Sequence, residues 1–243
     1  MSDAHRPGNF PTTRHSQVLA VRSEDPAARH RSYEVLTLAY YRPVYKYTRV
    51  HFRKDEDEAR EITHEFFIYA FESGAFARYE ADKARFRTYL RVCLDRFIGK
   101  RHRDGRAQKR GGGLPPLPLD FQELERDLVR SAPSEVGDPE RYFETEWARY
   151  LLATAVEALR RECVAKKRTQ HFHVFERLDL AEDDRPSYAE VANELGISVT
   201  DVTNRLAYAR RELRRLVLDE LREITASDAE LRAEAQSVLG IRV

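Results

Sequence analysis

Apolar positions recur at helical rather than strand spacing along most of the chain. Between His15 and Arg53 the recurring set is Val18, Leu19, Tyr33, Leu36, Leu38, Tyr41, Val44, Tyr45, Tyr47 and Phe52, with Pro26 and Pro43 marking helix starts or local breaks. A second helix is predicted from about Asp55 to Glu72, with Ala59, Ile62, Phe66, Tyr69 and Ala70 as its apolar stripe and Ser73–Gly74 as its stop. A third, from about Ala84 to His102, turns Phe86, Tyr89, Leu90, Cys93, Leu94 and Phe97 inward and most of its arginines outward. The pattern then fails over GGGLPPLPLD, residues 111–120, which reads as a linker that begins flexible and is stiffened by its prolines. Periodicity resumes near Arg141 and runs through Trp147, Leu151, Ala155 and Leu159. The expected architecture is all-α: one helical unit over 1–110, a linker over 111–139, a second unit over 140–225 and a helical extension over 226–243. Leu231, Ala235, Val238 and Leu239 give the extension its own stripe. It is expected to pack back on the second unit, the alternative being a latch that holds the two units closed.

The second unit has the most readable local chemistry. Ser187 precedes Glu190 by three residues, and Ser198 precedes Asp201 by the same interval. Each pair matches the capping signature, in which a hydroxyl accepts from an amide of the first turn and the acid reaches back. Gly196 sits where the chain must turn between the two helices. Tyr188, Val191, Ala192 and Leu195 form the inner face of the first, and Val202, Leu206, Ala209 and Leu213 that of the second. This is a predicted helix-turn-helix. Its second member is a short helix with a polar front and a basic back, leaving Thr200, Thr203, Asn204, Arg205, Tyr208 and Arg211 to face outward. Amide and hydroxyl groups can meet base edges in a major groove, and arginines can grip guanine or phosphate. A purely structural corner is the competing reading of the same fold.

Charge sharpens the picture. The 243 residues carry a net charge of only +1, yet the sign is segregated. From Arg85 to Arg110 ten basic residues face Asp95 and Asp104 alone, while from Asp120 to Glu146 acids dominate. The basic block suits a polyanion, although a solvated helix face would look the same. The longest apolar run, FFIYAF, is too short to cross a bilayer, and MSDAHRPGNF lacks a signal-peptide core. Cys93 and Cys163 are isolated, so neither a disulfide framework nor a zinc knuckle is indicated. The expected compartment is the cytoplasm.

Enzymatic readings find little support. Glu61 and His64 form one Glu-x-x-His, where a di-iron bundle needs two. HEFFI has Ile68 where a zinc-protease helix needs histidine. His171 and His173 lack a cysteine or carboxylate at ligand spacing, and the glycines at 111–113 have no following lysine and hydroxyl for a phosphate loop. No cofactor, metal or catalytic residue is expected. The stronger rival is a free-standing helix-turn-helix regulator with a helical sensor or dimerisation unit.

PSYAEVANELGISVTDVTNRLAYARREL resembles the C-terminal DNA-binding module of the extracytoplasmic-function (ECF) group of bacterial RNA polymerase sigma factors. Glu190, Val191, Ala192, Leu195, Gly196, Ile197, Val202, Arg205, Leu206, Ala209, Arg210 and Leu213 agree with its pattern. Asp201, Thr203, Asn204 and Tyr208 depart from it on the DNA-facing surface. Independently, YYRPVYKYTRVHFRKDEDEAREITHEFFIYAF resembles the sigma module that docks on core polymerase. FRTYLRVCLDRF resembles the promoter-melting segment, with Tyr89 for its tryptophan and Arg96 departing from its asparagine.

The resemblance implies contacts to the clamp of the largest polymerase subunit through Glu58, Glu61, Ile62, His64 and Glu65. It implies binding of the melted promoter −10 element through Arg87, Tyr89, Arg91, Arg96, Lys100, Arg101 and Arg103. Stacking on an unpaired base would suit Phe86 and Tyr89, core packing is the competing reading of both, and Phe97 is expected in the core. Thr200, Thr203, Asn204, Arg205, Tyr208 and Arg211 would read the duplex −35 element beside the flap of the second-largest subunit. The acidic linker would follow a basic RNA-exit path. An anti-sigma protein is a further implied partner, and the free chain is expected to be a monomer.

Overall fold

The computed structural model describes residues 16–104, 124–128, 137–181 and 185–240. Among them the chain is helical, with no strand. The helices are α1 (Gln17–Ala20), α2 (Pro26–His51), α3 (Glu56–Glu72), α4 (Phe86–Asp104), α5 (Pro139–Ala165), α6 (Thr169–Asp179), α7 (Tyr188–Leu195), α8 (Val199–Ile224) and α9 (Asp228–Leu239). A 3-10 turn, Phe76–Arg78, precedes α4, and residues 124–128 form a helical turn. None of the described helices is long and apolar enough to cross a membrane. The glycine-proline stretch 111–120 lies outside the described residues.

Local chemistry sets the boundaries. Asp25 accepts from the amides of Ala27 and Ala28, and Pro26 takes the first helical position of α2, where its missing N–H costs nothing. Asp55 caps α3 through the Glu58 amide, and Glu56, Asp57 and Glu58 in its first turn match the helix dipole. Asp138 and Pro139 repeat the first arrangement at the start of α5. Pro43 does not interrupt α2, which runs straight through it. The proline removes one backbone bond. The residues around it, Tyr40, Tyr41, Val44, Tyr45 and Tyr47, are all almost wholly buried and hold the helix in place.

The centre of the molecule is where α5 crosses α2. The Trp147 ring stacks on Tyr40 with centroids 6.4 Å apart, and Tyr40 meets Phe86 of α4 edge-on at 5.5 Å. One turn earlier Phe143 meets Tyr47 edge-on at 5.5 Å. Beside these rings Lys46 of α2 pairs with Glu146 of α5 at 2.9 Å, both side chains 5 % exposed or less. Such a pair is costly to desolvate, and Lys46 gains a second carboxylate from Asp127. Asp127 belongs to the turn 124–128, whose Leu124 and Leu128 are buried and whose Glu125 takes two bonds from Arg49, at 2.7 and 2.8 Å. These acids of the expected linker lie against α2.

The first half of α5 therefore completes a core begun by α2 and α4, while α5 also packs against α6 and α8. The two sequence-defined units share one continuous hydrophobic cluster in this arrangement. Trp147→Ala should lower unfolding free energy by about 3–5 kcal/mol, because it empties the crossing and uncovers Arg87. Urea unfolding followed by circular dichroism measures this, and a loss under about 1 kcal/mol would contradict the placement.

Candidate nucleic-acid interface

Helices α7 and α8 form the helix-turn-helix. Ser187 accepts from the Glu190 amide at 3.2 Å while Glu190 accepts from the Ser187 amide at 2.6 Å. Ser198 and Asp201 repeat this reciprocal arrangement at 3.0 and 3.3 Å. Gly196 ends α7 at φ +63°, a left-handed conformation that favours glycine. Val191, Ala192, Val202, Leu206 and Ala209 are buried between the helices and their supports. Tyr188, expected on the inner face, is 38 % exposed instead: as the first residue of α7 it sits at the helix end, beside Arg210 of α8.

The second helix is longer than its polar-then-basic segment suggests and reaches Ile224. Of its basic back, Arg210 makes two 2.7 Å bonds to Asp179 of α6, and Arg215 bonds Glu162 of α5 at 2.7 Å. These two arginines brace the fold. Thr200, Thr203, Asn204 and Arg211 are exposed, and Arg205 and Tyr208 are half-buried beside them. Sequence reasoning missed the neighbours that shape this face. Arg168 lies over the Tyr208 ring at 4.5 Å, Arg211 lies at 5.3 Å from it, and His171 meets its edge at 5.0 Å. Gln170 accepts a bond from Arg205. Burial and the cations of Arg205 and Arg168 push the His171 imidazole down, favouring its neutral form. The run Lys166, Lys167, Arg168 was a visible signal for this second contributor.

The basic helix α4 divides its candidates among three environments. Arg96, Lys100 and Arg103, at i, i+4 and i+7, form one exposed stripe, with half-buried Tyr89 one further heptad upstream. The Tyr89 hydroxyl donates to the Ala75 carbonyl at 2.7 Å, which fixes its ring. Arg91 faces inward, pairing with Asp95 at 2.8 Å and Glu140 of α5 at 3.4 Å. Arg87, 2 % exposed, lies over the Trp147 ring at 4.7 Å between Glu144 and Glu234, each 3.1 Å away. In this arrangement Arg87 cannot touch nucleic acid. Burial pushes the Glu234 carboxyl up to about 7, against the pull of Arg87 and Arg85.

Arg101 turns the other way and ties α4 to α3, lying 3.1 Å from Glu61 and 3.2 Å from Glu65. Glu58, Glu61 and His64 are exposed on α3 and Glu65 is half-buried. Burial pushes the Glu65 carboxyl up, opposed by Arg101. Ile62 is 1 % exposed, so it belongs to the core between α3 and its neighbours rather than to the surface of the acidic stripe. Phe86 is buried, and Phe97 packs half-buried against Phe66 at 5.8 Å. Among the described residues no group of three or more histidines, cysteines or carboxylates is arranged to hold a metal.

Among the described residues, a capped helix-turn-helix and a separate basic helix place the chain in the class of all-α proteins. Within that class, a family model described as ECF sigma factor matches residues 16–219, and the chain belongs to that family. It is a sigma factor for transcription initiation, of a family whose members bind core RNA polymerase and promoter DNA. Neither a curated protein nor a solved structure matches it.

The capping carboxylates predict an acid response. Bonds from Ser187 hold Glu190 below its usual range, bonds from Ser198 do the same for Asp201, and Arg177 followed by His173 for Glu194. A carboxyl depressed by folding adds stability above its unfolded value, near 4, and loses it as pH falls through the folded value. Ser187→Ala with Ser198→Ala should cost about 1 kcal/mol per cap at neutral pH. The variant should also lose less stability than wild type between about pH 5 and about pH 3. The difference comes through Asp201, which loses the Ser198 hydroxyl bond, while Glu190 keeps its bond from the backbone amide of residue 187. Thermal melts over that range decide, and parallel curves would contradict the capping role.

Proposed function

We propose that the exposed stripe of α4, Tyr89, Arg96, Lys100 and Arg103, holds the melted strand of the −10 element. The outward face of α8, Thr200, Thr203, Asn204, Arg205, Tyr208 and Arg211, reads the duplex −35 element, with Arg168 and His171 setting the angle of Tyr208. The acidic stripe Glu58, Glu61, His64 and Glu65 docks on the clamp of the largest polymerase subunit. The functional division into 1–110 and 140–225, joined by the linker, belongs to the same proposal. One observation carries it: a single chain of the ECF sigma factor family leaves two nucleic-acid-compatible faces exposed, on helices from its two halves.

Arginine and lysine at four-residue spacing can track a phosphate backbone, and an aromatic beside them can stack a flipped base for about 1–3 kcal/mol. Amide, hydroxyl and guanidinium groups at the front of a helix suit base edges in the major groove. Transcription with purified core polymerase, with and without the chain, tests the reading. New, discrete start sites should appear only when the chain is added; their absence would overturn it.

Two substitutions separate the surfaces. Glu61→Lys with Glu65→Lys should abolish capture by core polymerase while helicity is retained; unchanged capture would remove α3 from the docking surface. Arg205→Ala should cost about 1–3 kcal/mol of discrimination at one promoter position. Competition binding of the holoenzyme across single-base promoter variants measures this. A uniform loss on every sequence would make Arg205 a phosphate clamp instead.

A further inference from the structure

The segment beyond the family match contains α9, and α9 does more than continue α8. Its Glu230 and Glu234 are buried, at 7 % and 2 % exposed, although both are acids and neither lies in the matched region. Glu230 Oε1 accepts from the Phe86 amide at 2.8 Å and lies 3.0 Å from the Tyr79 hydroxyl. Its Oε2 accepts from the Ala226 amide at 2.8 Å. Phe86 is the first residue of α4, so its N–H is one of the donors that a helix cannot satisfy internally. Glu230 caps α4 from 144 residues away.

One turn further on, Glu234 pairs with Arg87 at 3.1 Å and approaches Arg85 at 3.7 Å. Buried Ala235 beside it seats the helix in the shared core. The start of α4 is thus an anion site built from a helix N-terminus, two arginines and a tyrosine hydroxyl, with carboxylates of the same chain seated in it.

We propose that α9 is an intramolecular ligand for the nucleic-acid-binding helix, occupying with two carboxylates a site that accepts backbone phosphate once α9 leaves. The proposal rests on the reading of α4 as the strand-binding helix. The chemistry of the two occupants matches: each presents anionic oxygens to the Phe86 amide, Arg85 and Arg87. The docked state hides Arg87 and ties α8 to α4 through α9. Both carboxylates give up water in the docked state, which offsets part of what their bonds contribute.

The test uses two full-length variants with opposite charge changes. Glu230→Ala with Glu234→Ala removes the carboxylates. Ala235→Glu removes the seat of α9 while adding an acid, which on charge alone would weaken binding to nucleic acid. Anisotropy of a fluorescein-labelled single-stranded oligodeoxynucleotide should show both variants binding about tenfold tighter than wild type at the same salt. Hydrogen exchange should show the Phe86 amide protected in wild type and unprotected in both variants, with helicity retained by circular dichroism. Tighter binding by the double alanine variant alone would reduce the effect to net charge and overturn the proposal. Equal binding by all three chains, or a Phe86 amide still protected in the variants, would also overturn it. A wild-type chain that fails to direct transcription would instead remove the sigma-factor assignment of α4, and the Phe86 amide would still report whether α9 docks there.

Discussion

Trp147 stacks with the Tyr40 ring and carries the Arg87 guanidinium over its own, and those contacts set where both halves of the chain sit. They require three helices at once: α2 for the stacking face, α4 for the cation and α5 for the indole. Because α5 continues from there to its contacts with α6 and α8, the crossing also positions the helix-turn-helix. The buried Lys46–Glu146 pair beside it adds register, since sliding α5 along α2 would strand either charge in an apolar core. Two units that look separable in the sequence are packed here as one body around a single tryptophan.

With 42 basic and 41 acidic side chains, function depends on which charges the fold consumes. Arg210, Arg215, Arg101 and Arg91 are tied to carboxylates of other elements, and Arg87 is buried. The exposed stripe of α4 and the exposed front of α8 are two of the basic surfaces left open to a polyanion among the described residues. This allocation explains how a chain of nearly zero net charge can serve a DNA-binding family. It also places the acids. Glu125 and Asp127 lie on α2, Glu140 and Glu144 on α4's inner arginines, and Glu230 and Glu234 on α4's first turn. These six acids cover inner basic surfaces of the N-terminal half and leave the Arg96, Lys100 and Arg103 stripe exposed.

Features encoded within one or two turns were legible before any coordinates. The all-α class follows from periodicity, and both capping boxes and the Gly196 turn follow from residue type at fixed spacing. The basic character of α4 and the acidic first turn of α3 were equally plain. What escaped is what depends on a partner distant in sequence. Nothing near Arg87 announces that Trp147 and Glu234 will cover it. Ile62 is placed on the docking surface by the resemblance alone, whereas its periodicity already sets it in the apolar stripe where the fold buries it. Pro43 reads as a break because a proline's cost is local, whereas the burial that outweighs it is tertiary. Tyr188 reads as core because periodicity cannot say where a helix's packing ends. The basic residues at 166–168 were visible, but their approach to Tyr208 requires the α6–α8 packing.

The central claim is that two separate exposed faces of one chain meet two separate stretches of promoter. A photo-crosslinking residue placed at position 96 or at position 204, in the assembled polymerase–promoter complex, tests it most directly. The account predicts that position 96 labels the melted −10 strand and position 204 the duplex −35 element. Labelling of one and the same stretch from both positions, or of no DNA from either, would contradict it.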